Sequence, residues 1–261
     1  MLADWLTARR GAGEAAALVT VTGVQGSAPR EVGATMAVSD AGACGTIGGG
    51  ALEAEAVQAA RRMLARGDAL AEIDQPLGPE IGQCCGGRVQ LSIVRADEEI
   101  IAARRAAEAM AGEAQPRILI FGAGHTGGAL AAALAPLPMK VAVIDQREDW
   151  LARLGPPTQA VLTALPEAEV AAAPPGAAFV IMTHDHALDF LIAETALARG
   201  DAAYVGMIGS ATKRAKLTAE LARKGIGAEA LVCPIGAGGA AGKQPEVIAA
   251  MTAAEIAAAL F

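Results

Sequence analysis

The sequence predicts an α/β protein that contains a doubly wound parallel sheet in its C-terminal half and a smaller α/β domain in its N-terminal half. Two observations predict the parallel sheet. From residue 117 onward, short apolar strands alternate with helix-like segments, which is typical of parallel sheets with helices on both faces. The first of these strands runs into Gly122-x-Gly124-x-x-Gly127 and then into a helix, a pattern that indicates a Rossmann-like domain.

The N-terminal half has a different pattern, in which strands neighbour turns rather than helices. Strands are predicted at 16–24, 34–40, 69–74 and 88–96, and a glycine loop leads into a helix within 45–67. The first two strands flank a turn-rich stretch and are expected to pair with each other. A charged helix at 97–116 leads into the other half, so we place the domains at 1–114 and 115–261.

The C-terminal half contains five predicted strands and four predicted helices. The strands are expected at 117–124, 140–148, 160–165, 177–186 and 202–210, and the helices at 125–135, 187–200, 211–225 and 245–261. In the common order 3-2-1-4-5-6, the first and fourth strands are neighbours, and ligands bind at their carboxyl ends. The strand that contains "AAFVIM" is therefore expected beside the strand that contains "ILIF".

Composition and charge exclude several classes of protein. Hydrophobic residues make up 53% of the chain but aromatic residues only 3%, so the core is built mainly from aliphatic side chains. The net charge of −7 without a basic cluster argues against nucleic acid as a partner. Apolar stretches end before the roughly 18 residues that a membrane helix needs. With no signal-peptide pattern at the start, we expect a cytoplasmic protein with reduced cysteines.

The glycine loop and a distal acid predict a site for a phosphate-bearing ligand. Gly122, Gly124 and Gly127 allow close approach to backbone N–H groups at a helix N-terminus. Asp145 ends the next strand, 23 residues after Gly122 (145 − 122), where a carboxylate can bind a ribose. This topology alone does not establish a dehydrogenase, because one fold serves many functions.

All three histidines follow predicted strands of the C-terminal half. His125 follows the first strand, and His184, Asp185 and His186 follow the fourth. Because these strands are expected to be neighbours, the four side chains are predicted to converge on one pocket; solvated or helix-capping histidines are the alternative. A metal site built on His184 and His186 is disfavoured, since residues two apart face opposite sides of an extended segment.

Two glycine-rich segments of the N-terminal half have an open interpretation. Residues 45–56, "GTIGGGALEAEA", fit either a second anion-binding loop or a tight turn from a strand into a helix. The adjacent Cys84 and Cys85 lie in "GQCCGGR". They are either inert buried thiols or accessible soft ligands suited to a transition metal or a sulfur-handling site. Cys44 and Cys233 are interpreted as ordinary small apolar residues.

Six ordered motifs together resemble the XdhC/CoxI family of accessory proteins for molybdenum hydroxylases. They are "GSAPREVGATM" (26–36), "GTIGGGALE" (45–53), "GQCCGGR" (82–88), "FGAGHTGGAL" (121–130), "MTHDHALD" (182–189) and "YVGMIGSATKRAKL" (204–217). The cysteine motif is most similar to the xanthine dehydrogenase branch. The resemblance implies a chaperone that binds the molybdenum cofactor (molybdopterin), protects it during sulfuration by a cysteine desulfurase and delivers it to apo-xanthine dehydrogenase.

The resemblance also implies how the cofactor would be held. Its phosphate would lie at the loop 122–127, and its molybdenum end near the thiols, with Cys85 as the candidate metal contact and Cys84 in support. The two domains are then expected to face each other across a cleft, and a homo-oligomer is compatible with the sequence. The alternative function is an NAD(P)-dependent oxidoreductase, which would use Asp145 and take His184 or His186 as proton donor.

Overall fold

The structure, a computed structural model, describes residues 1–78, 86–236 and 242–261. The chain divides into two compact units, Met1–Ala114 and Gln115–Phe261. Within the described residues, no helix combines the length and the apolar character needed to cross a membrane.

The first unit is built on a five-stranded antiparallel sheet with the strand order β3-β2-β1-β5-β4. Its elements, in chain order, are α1 (Leu2–Gly11), β1 (Ala16–Gln25), β2 (Thr35–Ser39), β3 (Gly42–Gly45), α2 (Gly50–Arg66), β4 (Leu70–Pro76), β5 (Arg88–Arg95) and α3 (Glu98–Glu113). The predicted pairing of the first two strands is confirmed, with Ala16 opposite Ser39.

Apolar side chains alternate between the two faces of this sheet, as the period of two in a strand requires. Val19 and Val21 of β1 pack with Leu52, Ala56 and Met63 of α2 on one face. Ala16 packs on the other face with Leu6 of α1 and Ile101 of α3. The unit therefore has a helix-covered core on each side of the sheet.

The second unit is a six-stranded parallel sheet, and its order β11-β10-β9-β6-β7-β8 is the predicted 3-2-1-4-5-6 arrangement. Its elements are β6 (Arg117–Phe121), α4 (His125–Leu134), β7 (Lys140–Asp145), α5 (Glu148–Leu151), β8 (Gln159–Leu162), α6 (Pro166–Ala172), β9 (Ala178–Ile181), α7 (His186–Arg199), β10 (Tyr204–Met207), α8 (Ala211–Arg223), β11 (Leu231–Val232) and α9 (Pro245–Leu260).

The neighbouring positions of β6 and β9 are confirmed, because Ile118 pairs with Ala178 and Phe121 with Ile181. These strands read as continuous apolar runs since both faces of the sheet are buried. Helices α4 and α9 cover one face, and α6, α7 and α8 cover the other. The carboxyl ends of β6 and β9 thus meet at the switch point of the sheet, where ligands bind in folds of this kind.

Candidate functional site

The three glycines of the loop after β6 have different physical roles. Gly122 has a φ of +117°, and a Cβ there would overlap the carbonyl of Met182. A Cβ on Gly127 would overlap the carbonyl oxygen of Gly122. Both glycines are therefore required by packing inside the unit. A Cβ on Gly124, in contrast, would meet no heavy atom within 4 Å, so packing in the described part of the chain does not require this glycine.

Gly124 is also the N-cap residue of α4, and no side chain in the described part of the chain caps this helix. The first N–H groups of a helix lack intrahelical acceptors, and the helix dipole adds positive potential there. An open, uncapped helix start beside a glycine of this kind can accept a phosphate group. The geometry around Gly124 is therefore consistent with the predicted phosphate site.

Asp145 lies at the end of β7 beside this loop, but its carboxylate is already engaged. Oδ2 accepts hydrogen bonds from the backbone N–H of Ala123 at 2.7 Å and from Nη2 of Arg147 at 2.8 Å. Oδ1 accepts from the backbone N–H of Arg147 at 3.0 Å and from its Nε at 2.9 Å. Asp145 thus ties the glycine loop to the segment after β7, and sequence reasoning missed Arg147.

The environment of Asp145 favours the ionised carboxylate. Burial by itself raises its pKa, because only 5% of the residue is exposed. The hydrogen bonds from Arg147 and Ala123, together with the charge of Arg147, outweigh this effect and lower the pKa below its ordinary value. Asp145 is therefore a buried anion whose charge is compensated within the unit.

The three histidines do not converge on one pocket as predicted; each lines a different cavity of the second unit. His184 lies with Gly122 and Asp145 at a crevice of about 10 Å³, which admits at most a water-sized group. His125 lines a cavity of about 560 Å³ beside α4. His186 lines a cleft of about 910 Å³ between α7 and α8. His125 is separated from the other two histidines because α4 and α7 cover opposite faces of the sheet.

The cavity beside α4 combines His125 with an aromatic and cationic wall. The imidazole of His125 stands edge-on to the indole of Trp150, with ring centroids 5.1 Å apart. The guanidinium carbons of Arg147 and Arg153 lie 5.0 and 4.4 Å from the centre of the same indole, within cation–π range. Trp150 thus connects the glycine loop to the cationic side chains that follow β7.

Asp185 acts as the N-cap of α7. Its Oδ1 accepts hydrogen bonds from the backbone N–H groups of Ala187 at 2.7 Å and Leu188 at 3.3 Å. These two bonds are the main reason that its pKa lies below the ordinary value. The carboxylate is exposed but serves helix α7, which accounts for an acid at this position without a ligand.

The cleft between α7 and α8 has a buried ion pair at the end where the two helices begin. Oδ2 of Asp189 lies 2.5 Å from Nζ of Lys213, and the same ammonium donates to the carbonyl of Ile208 at 3.0 Å. Oδ1 of Asp189 accepts from the N–H of Thr183 at 2.9 Å and from its hydroxyl at 2.7 Å. These contacts join the motifs 182–189 and 204–217. Asp189 and Lys213 each lie in one of these two motifs, and this was the signal available in the sequence. They were not identified as a pair from the sequence alone.

In the first unit, the glycine loop before α2 contains its own anion. Oε1 of Glu53 accepts hydrogen bonds from the N–H groups of Ile47 at 3.0 Å and Gly49 at 2.9 Å, and from the hydroxyl of Thr46. A Cβ on Gly48 would overlap the ring of Pro29, so the motifs 26–36 and 45–53 pack together. Residues 45–56 were interpreted either as an anion-binding loop or as a tight turn from a strand into a helix. The structure shows the tight turn, in which the Glu53 carboxylate accepts the hydrogen bonds that a bound anion would accept.

Cys84 and Cys85 lie outside the described residues, which resume at Gly86. The N–H of Gly86 donates to the carbonyl of Leu77 at 2.9 Å, and Gly86 pairs with Ser27 in an isolated bridge. The motif 82–88 thus packs on the motif 26–36 through Gly86, which belongs to its described part. Among the described residues, no cluster of three or more potential metal ligands is present.

Comparisons with known proteins agree with the architecture. The sequence matches the family described as "XdhC Rossmann domain" over residues 118–256, and the "XdhC and CoxI family" over residues 9–74. The fold is similar to a crystal structure described as that of a xanthine dehydrogenase from Bacillus halodurans. That match has a TM-score of 0.82 at 18% identity and covers 98% of this chain and 95% of that one, a likeness of fold alone. No curated protein matches the sequence.

Proposed function

The chain belongs to the XdhC and CoxI family, and from this premise we propose that it is a chaperone of the molybdenum cofactor. Membership itself indicates an accessory role beside xanthine dehydrogenase. The finer proposal is that the chain binds molybdopterin-bound molybdenum, protects it during sulfuration by a cysteine desulfurase and delivers it to apo-xanthine dehydrogenase. The observation that carries it is the match of family descriptions in both units.

The residues around the glycine loop fit the phosphate of this cofactor. Gly124 leaves space that its protein neighbours do not need, beside the N–H groups that begin α4. A phosphate monoester needs close backbone approach and positive potential, both of which a helix start of this kind supplies. The cofactor itself would supply the dithiolene-bound metal, while these residues would bind and orient its phosphate.

For the metal end of the cofactor we propose Cys85, supported by Cys84. A thiolate is a soft ligand suited to a transition metal, and Gly86 and Gly87 on one side leave little steric hindrance from side chains. We expect Cys85→Ala to reduce cofactor retention or transfer without altering the fold. Cys44→Ala, which removes a half-buried thiol at another position, is the matched control. Normal retention and delivery by a Cys84→Ala/Cys85→Ala variant would contradict a thiol role.

The binding test is an anaerobic titration with molybdenum cofactor released from a molybdoenzyme, followed by gel filtration and quantification of the retained molybdenum. The wild-type chain is expected to retain the cofactor and to activate apo-xanthine dehydrogenase when mixed with it. Retention no higher than that of a heat-denatured sample would overturn the proposal.

A single glycine variant links this test to the loop. Gly124→Val should fold normally, because its Cβ would point into open space, but the added methyl groups should block the approach of the phosphate and abolish retention. Gly112→Val is the control, since Gly112 also lies in open space but belongs to α3 of the first unit. Equal retention by both variants would argue against the loop as the phosphate site.

The alternative, an NAD(P)-dependent oxidoreductase, rests on the glycine pattern and on Asp145. The observed engagement of the Asp145 carboxylate by Arg147 disfavours a ribose at this position. Titration with NADH and NADPH separates the two functions. Tight binding of either together with hydride transfer to a substrate would favour the oxidoreductase.

A further inference from the structure

The carboxylate of Asp145 has no remaining capacity to bind a ligand hydroxyl. A carboxylate offers about four lone-pair sites on its two oxygens. Four hydrogen bonds already reach them: from the backbone N–H of Ala123, and from the N–H, Nε and Nη2 groups of Arg147. A ribose diol at this position would need two of the same sites. It could bind only after displacing Arg147.

We propose that Arg147 is a specificity-determining residue. It prevents the second unit from binding ligands that would place a free ribose diol at the carboxyl end of β7. The inference deepens the proposed function and rests on it for the identity of the accepted ligand, a phosphorylated cofactor without this ribose. The exclusion itself depends only on contacts within the second unit. If Arg147 excludes the diol, a glycine loop followed by a distal acid is not sufficient for NAD binding in this chain, because the acid is already bonded to Arg147.

The contact between Arg147 and Asp145 is difficult for a neutral diol to displace. Nε and Nη2 approach the two carboxylate oxygens side by side, at 2.9 and 2.8 Å. Bidentate, charge-assisted pairs of this kind are roughly twice as strong as hydrogen bonds between neutral groups. Because Asp145 is only 5% exposed, removal of the guanidinium would leave a buried carboxylate with two backbone N–H donors and no neighbouring cation, and neutral hydroxyl groups would have to replace the charge-assisted contact.

The surroundings hold the guanidinium of Arg147 in place. The central carbon of this group lies 5.0 Å from the centre of the Trp150 indole. The backbone N–H of Arg147 also donates to the carboxylate of Asp145. The side chain is still 31% exposed, and its hydrogen bonds to Asp145 use Nε and Nη2. Arg147 therefore offers a cationic edge next to the glycine loop, which favours an anionic phosphate over a neutral diol.

The test is a gain of function. Wild-type protein, Arg147→Met and Arg147→Met/Asp145→Asn are titrated with NADH, with binding followed by nicotinamide fluorescence. Methionine keeps an apolar contact with Trp150 but frees the carboxylate. Arg147→Met is expected to bind NADH about tenfold more tightly than wild type or better, the gain from one hydrogen bond to a charged group. The double variant should lose this gain, because the acceptor is gone.

Arg153→Met is the matched control, since Arg153 also lies over the Trp150 indole but pairs with Asp149 and does not touch Asp145. It should gain no NADH affinity. If Arg147→Met does not fold, Arg147→Lys replaces the bidentate guanidinium contact by a single ammonium. This variant should show a smaller gain in NADH affinity. Wild-type binding as tight as that of the variant, or a gain that persists in the double variant, would overturn the inference. Failure of the cofactor titration with wild type would instead count against the proposed function.

Discussion

Asp189 and Lys213 form a buried ion pair that joins the segments after β9 and β10. The side chains are 1% and 11% exposed, and Nζ lies 2.5 Å from Oδ2. Each partner has a second contact, since Thr183 donates twice to the acid and the lysine donates to the carbonyl of Ile208. The pair therefore links the start of α7 to the start of α8, at one end of the cleft between these helices.

Breaking this pair should destabilise the protein strongly. Asp189→Ala leaves a desolvated ammonium without its anion, and we expect the free energy of unfolding to fall by about 3–5 kcal/mol. Urea denaturation followed by circular dichroism measures the change. Lys224→Met is the control, because it removes the exposed pair with Glu194 and should cost less than about 1 kcal/mol. Asp189→Ala/Lys213→Met should recover part of the loss, and a purely additive double variant would contradict the coupling.

Substitution of Gly122 should affect folding, whereas substitution of Gly124 should not. Gly122→Ala forces a side chain into the left-handed region and against the carbonyl of Met182, so a loss of at least about 2 kcal/mol is expected. Gly124→Ala should stay within about 0.5 kcal/mol of wild type, as for ordinary surface changes. Thermal and urea unfolding of the two variants check this. Equal losses would show that the space around Gly124 is needed by the protein itself.

The Glu53 carboxylate should contribute stability that depends on pH. Burial raises its pKa, but the hydrogen bonds from Thr46, Gly49 and Ile47 outweigh this effect and lower the pKa below the ordinary value of 4.5. A group with a lowered pKa in the folded state stabilises at higher pH and loses this contribution as the pH falls through that lowered value. Glu53→Gln should cost about 1 kcal/mol at pH 7, the scale of a helix cap.

The measurement for Glu53 is urea unfolding of wild type and Glu53→Gln between pH 7 and pH 3. The stability difference should narrow below about pH 4.5 and disappear at more acidic pH, because the wild-type side chain is then protonated too. Glu55→Gln, a substitution in the same helix at a residue outside the glycine loop, provides the control. A difference that does not change with pH would indicate that Glu53 acts by packing and not by its charge.

Cys233 should be unreactive in the native protein. Burial raises the pKa of its thiol, an effect that the positive charges of Lys213 and Arg214 oppose only in part, and only 4% of the residue is exposed. Alkylation needs both access and the thiolate. Iodoacetamide treatment followed by mass spectrometry of peptides should therefore modify Cys233 only in the presence of denaturant. Modification at the same rate in both conditions would contradict the interpretation of Cys233 as a core residue.

Much of the fold could be predicted from the sequence because the signals are local. Short apolar runs predicted β6 and β9, the first of them ending at Gly122, and the alternation of strands with helices predicted their order in the parallel sheet. Short elements were missed, including α1, β3, α5, α6 and β11. Segments of two to ten residues with few apolar side chains carry little periodicity, and their structure depends on the cores that they cover.

The candidate site was predicted only in part, since residue types reveal which groups can act but not which partners they find. The sequence by itself determined the glycine loop, the strand order and the place of Asp145 at a strand end. Only the tertiary structure decided that Arg147 saturates Asp145, that Lys213 pairs with Asp189 and that the histidines separate. The physical reason is that a buried polar group takes the partner that packing brings within about 3 Å, often from a distant part of the chain, and periodicity carries no information about that distance.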